Sequence, residues 1–292
     1  MRASVLLQTM LPHRFVSRLV LWATRWTWRP WKDFLIGRIV RSYHVDLTEA
    51  RNADFSTYPH FNAFFTRELK VGARPQPRDG DAIACPADGR ISQSGTIEAG
   101  HILQAKGHDF TCADLLDDAD AAAGYSDGSF LTVYLSPRDY HRVHMPLAGE
   151  LLETVHVPGR IFSVAPFAVD AIPRVFARNE RLVCHFKSDF GSHFVVVLVG
   201  AMLVSGIETV WRGVEVPPYA SRTTRRDYRG REIRLERGAE MGRFNMGSTV
   251  IALLPAALGR FADTLRPQQP VRVGELVGCL QMSHNVTQFD NL

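Results

Sequence analysis

The hydrophobic rhythm of the chain changes once. Up to about residue 45, apolar and polar positions alternate at helical spacing, with Pro12 and Pro30 as expected breaks. Asp54 to Leu69 reads as a further helix, and Gly72 to Gly80, punctuated by proline and glycine, reads as a linker or loop. From Ala82 onward short apolar runs alternate with turns, and Gly89–Ser92, Ser129–Leu135, Leu182–Phe186 and Phe194–Val199 predict strands. The expected fold class is α+β: a mainly antiparallel β core with barrel or sandwich character, preceded by N-terminal amphipathic helices.

On a helix turning about 100° per residue, Phe15, Leu19, Trp22 and Trp26 share one narrow arc. Arg14, Arg18, Arg25 and Arg29 form a second arc beside it. Met1 to Lys32 holds no acidic residue, yet it carries four of the five tryptophans. No apolar run reaches the ~18 residues a membrane-spanning helix requires. Arginine beside tryptophan on an amphipathic helix predicts instead a helix lying among lipid headgroups. Packing on the protein's own core and a mitochondrial presequence are the competing readings. Pro12, His13 and Arg14 interrupt the apolar stretch and argue against a secretory signal.

Three polar islands stand out in the β region: Pro86-Ala87-Asp88-Gly89, Asp139 to Pro146, and Phe244 to Val250 around Gly247-Ser248-Thr249. They supply Asp88, His141, His144 and Ser248, the parts needed to activate a hydroxyl. Each is ordinary alone. Asp-Gly usually marks a turn, His-x-x-His is commonly structural or a metal fragment, and Gly-Ser-Thr by itself says little.

Together and in this order, the islands resemble the phosphatidylserine decarboxylase family, whose members cut themselves at a Gly-Ser bond to make a pyruvoyl cofactor. Phe61-Asn62-Ala63-Phe64-Phe65-Thr66-Arg67, Gln104–Gly107, Phe176–Arg181 and Gly238–Gly242 are similar to further elements of that family. Met246 stands where the usual bacterial motif has leucine, an apolar exchange at similar volume. Ala165 stands where the resemblance leads one to expect asparagine.

The resemblance implies decarboxylation of phosphatidylserine to phosphatidylethanolamine, without a metal. The pyruvoyl group, formed from Ser248, would make a Schiff base with the serine-headgroup amine. Residues 1–50 would be membrane-association helices, and 51–292 the decarboxylase domain. Cleavage between Gly247 and Ser248 would leave a larger chain, 1–247, and a smaller one, 248–292. The implied partners are phosphatidylserine in the membrane, an anionic lipid surface, the two chains of one precursor, and a second copy in a homodimer. The implied place is peripheral, on the cytoplasmic side of the cell inner membrane, or at the mitochondrial inner membrane in a eukaryote.

Residue chemistry suggests roles. An unassisted serine hydroxyl is a poor nucleophile at neutral pH, so His144 is expected to take the Ser248 proton and Asp88 to orient His144. Ser248 Oγ then attacks the Gly247 carbonyl carbon, where a missing Cβ avoids crowding and permits strained angles. An N-to-O acyl shift gives an ester, and elimination breaks the chain. By the resemblance, His141 is the acid that reprotonates the product, a task suited to a group titrating near working pH.

Composition removes other classes. The formal charge of +4 is small, and no recognition module accompanies the arginines of Arg222–Arg237, which argues against nucleic acid. That segment is expected to be a strand pair with solvated arginines, or else an anionic-lipid surface. Asp114, Asp117, Asp118 and Asp120 are expected in a solvated loop. Cys85, Cys112, Cys184 and Cys279 lack zinc spacing and read as reduced, mostly buried thiols. Pro270–Gly278 has the rhythm of lipoyl and biotin carriers, but no lysine follows Lys187 to hold such a group. A Ser-His-Asp lipid hydrolase is the rival enzyme, although Met246 and Val250 occupy the positions where a nucleophile elbow needs glycine. A membrane-surface binding protein is the non-enzymatic rival.

Overall fold

The computed structural model describes residues 13–105, 107–201, 206–217, 219 and 221–281, with the side chains of His13 and Arg14 set aside. Pro12, Lys106 of the Gln104–Gly107 element, and the end of the 248–292 segment lie outside the described residues.

Among the described residues the organising element is a nine-stranded sheet. It runs Thr224–Asp227, Gly149–Val157, Arg181–Ser188, His193–Val199, Ser248–Leu254, Ser129–Leu135, Gly89–Thr96, Pro270–Val271, with Arg234–Leu235 also on Gly149–Val157. Pairing across its centre is antiparallel. The predicted strands all appear, most of them extended by a residue or more.

Ser248–Leu254 is wholly buried between Ser129–Leu135 and His193–Val199. Its side chains alternate between two cores, as a period of two requires. Val250, Ala252 and Leu254 join Val133, Leu198 and Phe244 on one face. Ile251 and Leu253 join Phe130, Val197 and Phe176 on the other. Each large aliphatic buried this way contributes about 2 kcal/mol. The sheet is covered on both faces and has free ends at Thr224–Asp227 and Pro270–Val271, so the expected barrel character is not realised as a closed barrel.

Several expectations need correction. The N-terminal helices run His13–Arg25 and Arg29–Tyr43, so the break falls at Trp26–Trp28, and Pro30 sits in the first turn of the second helix. Proline fits there because first-turn amides have no helical acceptor. Asp54–Leu69 is not one helix: a 3-10 turn, Phe55–Thr57, precedes a short helix, Phe61–Phe65, capped by the His60 side chain on the Ala63 amide. Pro59 between them cannot donate to a continuous ladder.

The acidic patch is a loop only in part. Asp114 and Asp120 lie in the short helices Cys112–Leu116 and Ala119–Ala123, and only Asp117 and Asp118 form the link between them, where Asp118 caps the second helix; Asp114 pairs with Arg174. The two strands of Arg222–Arg237 pair with Gly149–Val157, not with each other. Their arginines are largely engaged within the protein: Arg225 on Asp118 and Glu153, Arg226 on Glu215, Arg234 on Asp189, and Arg237 on backbone carbonyls. Cys85, Cys112 and Cys184 are buried, whereas Cys279 is exposed.

The first helix turns its apolar arc outward. Phe15 is 61%, Leu19 51% and Trp22 63% exposed, while Ser17 and Thr24 face inward. Among the described residues no helix is long and apolar enough to cross a membrane.

Candidate active site

Ser248 is the first residue of the central strand, and the chain reaches it through an unusual turn. Glu240–Asn245 ends, Met246 takes φ +84° and Gly247 φ +23°, and Ser248 then enters the sheet opposite Leu135. Met246 is a side-chain-bearing residue in the left-handed region, which is rarely populated outside strained or functional sites. Beyond its chain neighbours, a Cβ built on Gly247 would meet nothing within 4 Å, so packing against the rest of the fold does not require glycine here, whereas the positive φ favours it, as expected. Ser248 is fully buried, and its Oγ has no hydrogen-bond partner.

The histidines lie on the neighbouring strand Arg142–His144, which pairs with Glu240–Asn245, and in the loop before it. The Phe244 amide donates to the His141 carbonyl at 3.0 Å, joining the histidine loop to the strand that leads into the turn. His141 is fully buried, packed on the Phe65 ring with centroids 4.0 Å apart. Its Nδ1–H donates to the Asp139 carbonyl at 2.9 Å, and Nε2 has no partner. Burial pushes its pKa down to about 3, so the ring is neutral at physiological pH.

His144 Nδ1–H donates to the Gly238 carbonyl at 2.8 Å, and its Nε2 accepts from the Tyr140 hydroxyl at 3.2 Å. Burial lowers its pKa as well. Both rings therefore carry their hydrogen on Nδ1 and a lone pair on Nε2, because a carbonyl can only accept.

Asp88 is buried but is not hydrogen-bonded to His144, contrary to expectation. Arg74 grips both its oxygens, with Nε at 2.9 Å from Oδ1, and the Val273 amide donates to Oδ1 at 2.8 Å. Asp88 reaches His144 only through space, where its charge favours the imidazolium. The Asp-Gly pair is not a turn either. Gly89 opens a strand, and a Cβ there would lie 2.1 Å from the Tyr134 carbonyl oxygen, so the close approach of two strands demands glycine. Cys85 packs in the core, its thiol pushed up to about 12 by burial.

Main-chain bonds tie the three islands to one another, the His144 amide to the Pro86 carbonyl at 2.8 Å and the Phe244 amide to the His141 carbonyl at 3.0 Å, but among the described residues no hydrogen bond links Ser248, His144 and Asp88. His144 lines a cavity of about 460 Å³ together with Tyr140, Arg74, Lys70 and Arg51. Sequence reasoning missed Arg74, which lies in the supposed linker, and Tyr140. It also missed Arg67, a buried guanidinium whose Nη2 donates to the Arg138 carbonyl at 3.2 Å while Nε and Nη1 have no partner. The signal available was an arginine ending an otherwise apolar motif. The Gly238–Gly242 element finds its purpose in the carbonyl that fixes His144. The expected asparagine position, Ala165, is the N-cap of the short helix Pro166–Val169, where no side chain caps the helix and proline occupies the first turn.

The phosphatidylserine decarboxylase family model matches residues 61–279, and a second, described as PSD, matches residues 3–44. A phosphatidylserine decarboxylase proenzyme of Xanthomonas euvesicatoria pv. vesicatoria is 59% identical over 266 residues, covering 91% of this chain and 94% of its own length. The proenzyme of Xanthomonas campestris pv. campestris is 56% identical, covering 94% and 96%. That of Xylella fastidiosa is 54% identical, covering 94% of each. With a family model matching residues 61–279 and identity of this order along nearly the whole chain, the chain belongs to the phosphatidylserine decarboxylase family.

Proposed function

We propose that this phosphatidylserine decarboxylase converts its own Ser248 into a pyruvoyl group by cutting the Gly247–Ser248 bond, and works on phosphatidylserine at a lipid surface. One observation carries the reading: the Ser248 hydroxyl is fully buried and unpartnered directly after two residues of positive φ. A buried polar group left unpaired costs roughly 1–3 kcal/mol and calls for an explanation. A nucleophile awaiting the adjacent carbonyl supplies one.

The residues present fit the group. In the uncut chain Ser248 Oγ attacks the Gly247 carbonyl carbon as its hydroxyl proton passes to an imidazole Nε2, and the amide C–N bond breaks to give an ester as that imidazolium returns the proton to the departing Ser248 nitrogen. We assign that acceptor to His144, with Asp88 stabilising the resulting cation through space. Elimination across Cα–Cβ of Ser248 then releases the Gly247 carboxylate, and hydrolysis of the remaining enamine releases ammonia and leaves the keto group. When formed, the pyruvoyl carbonyl supplies an electron sink for decarboxylating an amino-acid headgroup. His141, fully buried and with Nε2 unpartnered, would move a proton at that atom. Among the residues lining the cavity, exposed Lys70 suits an anionic phosphodiester, whereas Arg74 is held by Asp88 and Glu49 and Arg51 is paired with Glu68. The outward arc of Phe15, Leu19 and Trp22 suits insertion at the headgroup level.

Mass spectrometry of purified protein tests this reading. Two chains are expected, the smaller one beginning with a pyruvoyl group in place of Ser248. An active preparation consisting of a single intact chain would end the proposal, and would favour the hydrolase reading instead.

A further inference from the structure

Asn245 precedes the strained turn and is fully buried. Its side chain is held at both ends by other elements. Asn62 Nδ2 of the Phe61–Phe65 helix donates to its Oδ1 at 2.8 Å, and its own Nδ2 donates to Glu208 Oε1 at 2.9 Å. Glu208 is fixed in turn: Arg25 of the first helix reaches Oε1 at 3.0 Å and Arg243 reaches Oε2 at 3.2 Å. Gly206 leaves room for the amide, since a Cβ there would stand 3.1 Å from Asn245 Nδ2. One residue later, Met246 packs against the cluster that contains Phe61, Phe64 and Phe65.

Strained backbone persists only where its surroundings over-determine it. Here the Asn245 clamp fixes the turn from one side and the sheet register of Ser248–Leu254 fixes it from the other. We propose that Asn245, clamped between Asn62 and Glu208, is a positioning residue for self-cleavage: it holds Met246 and Gly247 in the left-handed conformation from which Ser248 attacks. This rests on the assignment of the cut to the Gly247–Ser248 bond. Among the described residues no hydrogen bond joins the Asn62, Asn245 and Glu208 side chains to Ser248 or to either histidine, so the clamp's effect falls on the rate of cutting. Cleavage frees the Gly247 end and releases the strain, which disfavours religation.

The test follows precursor cleavage after cell-free synthesis of the full chain, with thermal unfolding of each variant measured in an uncuttable Ser248→Ala background. Asn245→Ala and Asn62→Ala are expected to slow cutting about tenfold to a hundredfold, as small misplacements of reacting groups do. The double variant Asn245→Asp/Glu208→Gln reverses donor and acceptor across the same contact and keeps the Asn62 bond, at the loss of the Arg25 bond to the same Glu208 atom, so it should cut faster than Asn245→Asp alone while staying below wild type. Wild-type cutting rates in Asn245→Ala overturn the proposal. So does slowing that tracks lost melting temperature across the variants, or a stable double variant that recovers nothing, since either makes the role merely structural. Should Asn245→Ala fail to fold, Asn62→Ala and the double variant carry the decision. If wild-type protein is not cut before Ser248, the underlying assignment fails instead, and the unchanged wild-type chain identifies that failure.

Discussion

The Nδ1–H of His141 donates to the main-chain carbonyl of Asp139, two residues earlier, at 2.9 Å. That single contact settles the ring's chemistry. Nε2 is left with the lone pair, and with a pKa near 3 the buried ring starts as a proton acceptor. It can act as the acid that reprotonates product only after it has first taken up a proton at Nε2.

The same burial makes the precursor sensitive to acid. In the unfolded chain His141 titrates at about 6.5, and in the folded chain at about 3. The folded state therefore binds fewer protons between these values, so stability is complete above the upper one and declines as pH falls toward the lower. At pH 5 this one ring costs about 2 kcal/mol. Urea unfolding of Ser248→Ala precursor at pH 7 and pH 5 should show the loss. His141→Gln in that background should remove about that much of the pH dependence, and an undiminished dependence would count against a neutral buried ring.

The two histidines should separate by assay. His144→Ala is expected to remain uncut, like Ser248→Ala, whereas His141→Ala is expected to cut itself and decarboxylate poorly. Gel analysis beside a carbon dioxide release assay reads both. An uncut His141→Ala would move the base role to the ring with the unoccupied Nε2.

Arg74 sits in a proline-punctuated stretch, yet it holds the buried carboxylate of Asp88 in a fork and reaches Glu49 at 2.9 Å. Arg74→Ala strands a carboxylate with one backbone donor and should cost about 3 kcal/mol. Arg74→Lys should not restore it, because an ammonium cannot form the fork. Thermal unfolding in the Ser248→Ala background measures the loss, and cutting in the wild-type background should slow in parallel.

The exposed face of the first helix should matter to lipid and to little else. Replacing Phe15, Leu19 and Trp22 with serine removes apolar surface that contributes little to folding, because exposed substitutions of this kind usually change stability by about 0.5 kcal/mol or less each. Flotation with phosphatidylserine-containing vesicles should show weakened binding, with normal cutting and melting. Unchanged flotation would remove the helix from the membrane account.

The sequence disclosed the strands well because Ser129–Leu135 and His193–Val199 are uninterrupted runs of residues that only a doubly covered sheet can bury. It could single out Ser248, His141 and His144 as candidates because their motifs are local. It misassigned the contact of Asp88, since nothing local ties that carboxylate to an arginine 14 residues earlier or to the amide of Val273. It likewise hid the Asn62–Asn245 bond, which spans 183 residues and depends on the final packing of helix against strand. Short helices such as Phe61–Phe65 were overextended because apolar spacing does not show where a cap will end them.

The strand that begins with Ser248 is threaded through the middle of the sheet, with a neighbour bonded along each side and both faces covered. A cut at its head would leave a fragment unable to diffuse away, since its removal means dismantling the fold. The association of two such polypeptides would then not be a binding equilibrium that dilution can shift: they would separate only on denaturation, and once separated they would have lost the covalent connection along which the precursor first folded.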